Sequence, residues 1–285
     1  MLRYQADIRS LCFVVLTLAL LAVAIRVNVG YVSLVIVPSV TFLAFVCCII
    51  THNHAHCPIF KSKLANRLFD LILALAKGHS VQTVVIPHNQ NHHVFHGRSG
   101  DWIAVEHAGT LSGVPRIIRF VARSVLTMAR QRRLTSAPQP TATMLRSMNE
   151  QRTLIYGFAL IFLILNPASF VLHALTPWIL AMLILVSVNL FQHDGCDLDS
   201  DVNRARNFTS SIGNWLLFNN GYHMIHHRYP RLHWSLLKKR HELEVLPYAN
   251  PSLQEESLIL FLYSKYLQNQ VASPGQGVGK FQAGD

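Results

Sequence analysis

The chain has 285 residues, 51% of them hydrophobic and only 14% charged, with 25 lysines and arginines against 14 acidic residues. A soluble domain of this length carries roughly a quarter charged residues, so this composition points to a membrane rather than to a free globule. The five cysteines (Cys12, Cys47, Cys48, Cys57, Cys196) share no repeated spacing and read as reduced small hydrophobes, not as a disulfide framework.

In chain order, Leu11 to Ile25 is an uncharged apolar run behind Arg3 and Arg9, and Tyr31 to Ile50 is a second. About 20 residues of helix cross the hydrocarbon layer, which predicts a hairpin of two spans, about 11–27 and 31–51, turning near Arg26. A cleavable signal peptide is the competing reading of the first run, but no small-x-small site follows it and the second run begins at once. Ser62 to Lys77 and Val114 to Arg133 interleave aliphatic and basic residues in helical rhythm. Such helices lie in the headgroup layer or pack on a cytoplasmic core with a solvated basic face. Ser136 to Thr143, with two prolines, reads as a linker.

Charge disappears again from Thr153 to Gln192, where Asn166-Pro167 and Thr176-Pro177 punctuate the stretch. This predicts two further spans, about 152–171 and 175–193, and so places both termini on one side of the membrane. Of the 25 basic residues, only Arg26 falls in a turn on the far side. The bias sets the large loop and tail in the cytoplasm. It explains the net charge of +11 through topology and contact with membrane lipids, without nucleic acid. The expected architecture is all-α: four membrane helices under a helical cytoplasmic cap, 52–151 and 194–270, in a single domain of residues 1–270. The Gly-rich tail, 271–285, is expected to be disordered.

Sixteen histidines are the anomaly, and they are grouped at the inner ends of the spans. His52, His54 and His56 follow the second span; His88, His92, His93 and His96 come next; His193 and Asp194 close the fourth span; His223, His226 and His227 lie in the tail. Residues at i, i+3 and i+4 share a helix face, so His52 with His56, His88 with His92, and His223 with His226 and His227 each aim imidazoles at one point. Nine imidazoles exceed the four that satisfy one tetrahedral zinc and divide sensibly over two ions of higher coordination. Nitrogen donors suit iron, zinc, copper or nickel, and spacing does not choose among them. His54 projects away from His52, as a supporting or surface group; His96, at i+4 from His92, is a candidate extra ligand. His79, His107, His173, His233 and His241 lack the spacing. The run Asp194, Asp197, Asp199, Asp201 reads as a solvated acidic turn, without the glycine and closing glutamate of a calcium loop.

His-x3-His, His-x3-His-His, a lone histidine closing a span and His-x2-His-His, in this order, resemble the membrane-bound fatty acid desaturase superfamily. The likeness runs from the first span to about Leu246. The surroundings of the last group, Asn219-Asn220-Gly221-Tyr222 and Pro230-Arg231-Leu232-His233-Trp234, are similar to bacterial members. The resemblance implies a di-iron centre that uses O2 to desaturate a fatty acyl chain, or else to hydroxylate it or form a terminal alkene. The implied ligands are His52, His56, His88, His92, His93, His193, His223, His226 and His227, with Asn189 holding a metal-bound water. Asp194 is the expected partner of His193, since ligating imidazoles donate their second nitrogen to a carboxylate or carbonyl. No His-Pro-Gly-Gly segment and no cysteine set for an iron–sulfur cluster occur, so electrons are expected from a separate, acidic protein such as a ferredoxin or cytochrome b5. A metal transporter would hold its ligands at the bilayer midplane, and a zinc hydrolase would leave most of these histidines idle.

Overall fold

The computed structural model describes residues 1–131 and 139–268. The tail expected to be disordered, and the first part of the predicted linker, lie outside the described residues. The first uncharged run forms α1 (Ile8–Ala24), and the second forms α2 (Ser33–His56). The two lie antiparallel, with Thr17 Oγ1 and Cys47 Sγ 3.3 Å apart between them. In α2, 67% of the most apolar window is buried, against 28% in the first span, so α2 is the central post and α1 an outer helix.

The amphipathic segment after α2 is α3 (Lys63–Lys77), capped by Ser62, whose Oγ accepts from the Ala65 amide. It ends at Gly78, held at φ +73° with the Trp178 ring 2.2 Å from where a Cβ would stand. Only glycine meets both demands. Beyond it α4 (Gln82–Phe95) leaves at 75°, and its residues Val85–His92 are wound as a π-helix. Pro87 supplies a cause: it lacks an N–H and its ring crowds the preceding turn, which a widened helix relieves.

The second amphipathic segment is α5 (Gly113–Gln131); it buries Phe120 and Ser124 and leaves Ile118 and Leu126 exposed. Next come α6 (Ala142–Leu165) and α7 (Pro167–His193). The break between them falls at Asn166, whose side chain caps the Ser169 amide, with Pro167 at the first helical position. The predicted break at 171–175 is corrected: Thr176-Pro177 stays inside α7, because a π turn over Val171–Leu175 absorbs the proline.

Three segments are long and apolar enough to cross a membrane: Gln5–Ala24, Ser33–His56 and Pro167–His193. The bent pair Lys63–Lys77 and Gln82–Phe95 makes a fourth only if it is one broken span. The predicted span at 152–171 is not among them, because α6 is apolar only beyond Arg152, in its second half.

The remaining described chain forms a cap of short helices, α8 (Ser211–Leu216), α9 (His223–Arg228), α10 (Leu237–Glu244) and α11 (Leu258–Leu267). The fold is mostly helical. One departure from the all-α expectation is a two-residue parallel ladder between β1 (Asn207–Phe208) and β2 (Gln254–Glu255). The first residues bind this cap to the membrane helices. Buried Asp7 accepts from Trp234 Nε1 at 2.9 Å and meets His233 Nε2 at 3.1 Å, while the Arg9 guanidinium lies over the Trp234 ring.

Candidate metal centre

The C-terminal ends of α2, α4 and α7 converge with α9, and each brings histidines of different sequence origin to one place. Two groups form. His52, His56, His88, His93 and His226 present nitrogens within 4.8 Å of one another, and so do His92, His193, His223 and His227. All nine expected ligands are therefore brought together, in sets of five and four.

The partition follows from helix geometry. Adjacent residues on a helix point about 100° apart, so each His-His pair is split: His93 and His226 face one group, His92 and His227 the other. In α9 the i, i+4 pair is His223 with His227, their Nε2 atoms 3.0 Å apart. In α4 the π turn changes the period. His88 meets His93, five positions on, at 2.9 Å, and His92 is sent to the other group. The sequence expectation that His88 and His92 share one focus, and that His223 shares one with both His226 and His227, is corrected on these grounds.

Within the first group, Nε2 of His52 lies 2.8 Å from that of His88 and 3.1 Å from that of His226, and His93 lies 3.0 Å from His226. In the second, His193 lies 3.1 Å from both His223 and His227, and His92 lies 3.3 Å from His227. Ligands about 2.1 Å from a common ion are separated by about 3.0 Å at right angles and about 3.4 Å at tetrahedral angles. The shortest separations are those of neighbouring ligands on one ion, and a set of five exceeds what one tetrahedral ion takes, so the residues fit metal binding. The buried Nε2 of His56 has no hydrogen-bond partner and faces into the first group, as an unused metal donor would.

Three of the rings are fixed through their second nitrogen, whereas the Nδ1 atoms of His93, His223 and His227 are buried without a hydrogen-bond partner among the described residues. His52 Nδ1 donates to Asn53 Oδ1 at 3.2 Å, His193 Nδ1 to the Arg204 carbonyl at 2.9 Å, and His92 Nδ1 to Asp101 Oδ2 at 2.6 Å. Each bond leaves an Nε2 lone pair directed inward. Burial, reinforced by the neighbouring imidazoles, holds the pKa of His223, His226 and His227 well below the ordinary histidine value. These rings stay neutral at physiological pH, the form that donates to a metal.

Asp101 is the functional residue that sequence reasoning missed. Burial alone would raise its carboxyl pKa, but His92 and the amides of Ile103 and Gly97 hold it below the usual range. The only hint in the sequence was an acid just beyond the second histidine group; nothing local tied it to His92. The expected pairing of Asp194 with His193 is corrected. Asp194 accepts from Arg116 at 2.8 Å and from Tyr266 at 2.9 Å, and pairs with Lys265 at 3.0 Å. Burial opposes its charge, but these partners hold its pKa down to about 2.

Asn189 lines a cavity of about 100 Å3 together with His52, His88 and His223, and its Nδ2 donates to the Ile103 carbonyl at 3.0 Å. His96 joins His93 and His227 in a third set, and Arg204 Nη1 lies 3.4 Å from its Nδ1. His54 is buried and stands apart, accepting from the Ile59 amide and facing Asp70 at 3.3 Å. His173, at the far end, donates to the Ala24 carbonyl and accepts from Ser33, a polar clasp among three helices. His79 bonds Lys77 and Thr83, His107 meets Ser124, and His241 packs on Tyr222.

No curated protein and no solved structure matches the chain. The family model described as Fatty acid desaturase matches residues 28–257, which takes in all nine converging histidines. On that match, covering most of its length, the chain belongs to the fatty acid desaturase family.

Proposed function

We propose that this chain is an integral membrane oxidoreductase that binds two iron ions and uses O2 and external electrons to desaturate a fatty acyl chain. The observation that supports this most is the division of nine buried or half-buried imidazoles into two adjacent sets. One such set serves many metal functions; two sharing helices serve a paired-ion chemistry. Iron bound there supplies the oxidising power to take hydrogen from an unactivated methylene, which no side chain does unaided.

The chain's own residues do the rest. Ile49, Val84, Pro87, Ile103 and Leu185 wall the cavity against His52, His88 and His223, a surface that accepts alkyl carbon and excludes water. Asn189 on the same wall is suited to hold a water on an ion. Two adjacent methylenes, one O2, two electrons and two protons give one double bond and two waters, so each turnover needs two electrons from a separate donor. The bias of basic residues supports four spans, with both termini and the histidines on the cytoplasmic side.

The test is mass spectrometry of lipids from cells expressing the chain, with metal analysis of the purified protein. A new double bond with about two irons per chain is expected; a hydroxyl or terminal alkene would assign the other outcomes of the same chemistry. A single zinc would defeat the proposal.

A further inference from the structure

The first histidine group has two sides of opposite character. His52 and His88 face the small apolar cavity, whereas His56 and His93 form part of the wall of an open cleft of about 700 Å3. The cleft is rimmed by Arg228, Arg231 and Arg240. Arg228 and Arg231 are exposed, and among the described residues neither closes an ion pair. Arg240 is shared with Glu244, which also accepts from Tyr229 Oη at 2.8 Å. Three arginines against one glutamate leave the rim net positive. Ala55 and His56 are the last residues of α2, so the cleft opens at the end of that candidate span.

We propose that this cleft is where an acidic one-electron carrier protein docks, an inference that rests on the oxidoreductase reading above. The carrier needs a wide, water-facing opening, positive charge to hold an acidic surface, and direct access to a metal-holding ring. The cleft offers all three, and no further side chain stands between its floor and the His56 and His93 rings. An acyl chain is served on the other side. The two cavities share no lining residue, and His88 of the apolar cavity packs against His56 and His93 of the cleft, so histidines stand between them. Each encounter would oxidise the carrier by one electron and deliver that electron to the metal that His56 and His93 would hold, with no bond made or broken. Two encounters supply one turnover.

The experiment uses the full, iron-loaded chain in detergent, with a reduced [2Fe–2S] ferredoxin as the probe, followed by stopped flow at low and high ionic strength. Charge steering is strongest at low salt and is screened within about 10 Å at 0.1 M. Arg231→Glu is expected to slow reduction by ferredoxin about tenfold at low salt and to flatten its salt dependence. Reduction by dithionite, which needs no docking, and the iron content should be unaltered, which shows that the variant is folded. Arg123→Glu, on the exposed face of α5, should leave ferredoxin reduction unchanged. Equal ferredoxin rates and salt slopes in Arg231→Glu and the unaltered chain would overturn the proposal. So would a raised KM for an acyl-CoA with ferredoxin reduction intact, which would assign the cleft to a substrate head group. A chain with no reducible iron at all would instead overturn the oxidoreductase reading, and this inference with it.

Discussion

His92 Nδ1 and Asp101 Oδ2 lie 2.6 Å apart with both side chains fully enclosed. The carboxylate orients the ring and strengthens its other nitrogen as a donor; loss of such a partner lowers metal affinity about 10- to 100-fold. Asp101→Asn should therefore lose metal from the His92, His193, His223 and His227 set first. Timed dialysis against a chelator, with iron counted at intervals, is expected to show one ion leaving early and the other retained.

Asp194→Asn is the contrasting variant. It weakens contacts to Arg116, Lys265 and Tyr266 but leaves the bond from His193 to Arg204 in place. Each hydrogen bond to a charged group contributes about 1.5–3 kcal/mol, so thermal unfolding should move down by several degrees. Iron content should not change; a loss of iron matching that of Asp101→Asn would show that Asp194 supports the ligand after all.

His226→Ala and His193→Ala each remove one donor, from different sets. Both should abolish turnover, and each should reduce bound iron from two toward one. His241→Gln, which keeps a polar group of similar reach beside Tyr222, should retain both ions and turnover. Equal activity in all three variants would defeat the site assignment.

The neutral imidazoles make the metal-free protein sensitive to acid. Since His223, His226 and His227 have pKa values well below 6.5 when folded, the unfolded chain binds more protons below that pH. Stability is thus fully present above about pH 6.5 and falls as pH drops, by up to about 1.4 kcal/mol per pH unit for each ring. Asp194 adds its own loss only lower, between 3.8 and about 2. Melting of the metal-free protein at pH 7.5 and 5.5 should show the lower value in acid; no difference would mean the rings are hydrated and able to charge.

Gly221 precedes the last histidine group, and a Cβ there would stand 2.1 Å from the Phe208 carbonyl oxygen. Backbone cannot swing aside as a side chain does, and forced overpacking costs about 1–3 kcal/mol. Gly221→Ala should lower the melting temperature and displace α9, with iron binding weakened in both sets because α9 serves both. Undiminished iron binding would separate the turn from the site.

The helical hairpin at the start, both amphipathic helices and the grouping of nine histidines were legible in the chain before folding. Those features follow from local pattern: uncharged length, helical rhythm and spacing along one segment. Which ring shares a focus with which depends on how the segments wind and pack. The π turn around Pro87 replaces the period of 3.6 with a wider one, so His88 pairs with His93 and not with His92. The same kind of turn carries α7 straight through Thr176-Pro177, where the sequence suggested a break. The partners of the rings were equally hidden. Asp101, not Asp194, is the buried carboxylate at a ligand, because a carboxylate's neighbours are set by packing between segments: Asp194 meets Arg116 from 78 positions away and Tyr266 from 72.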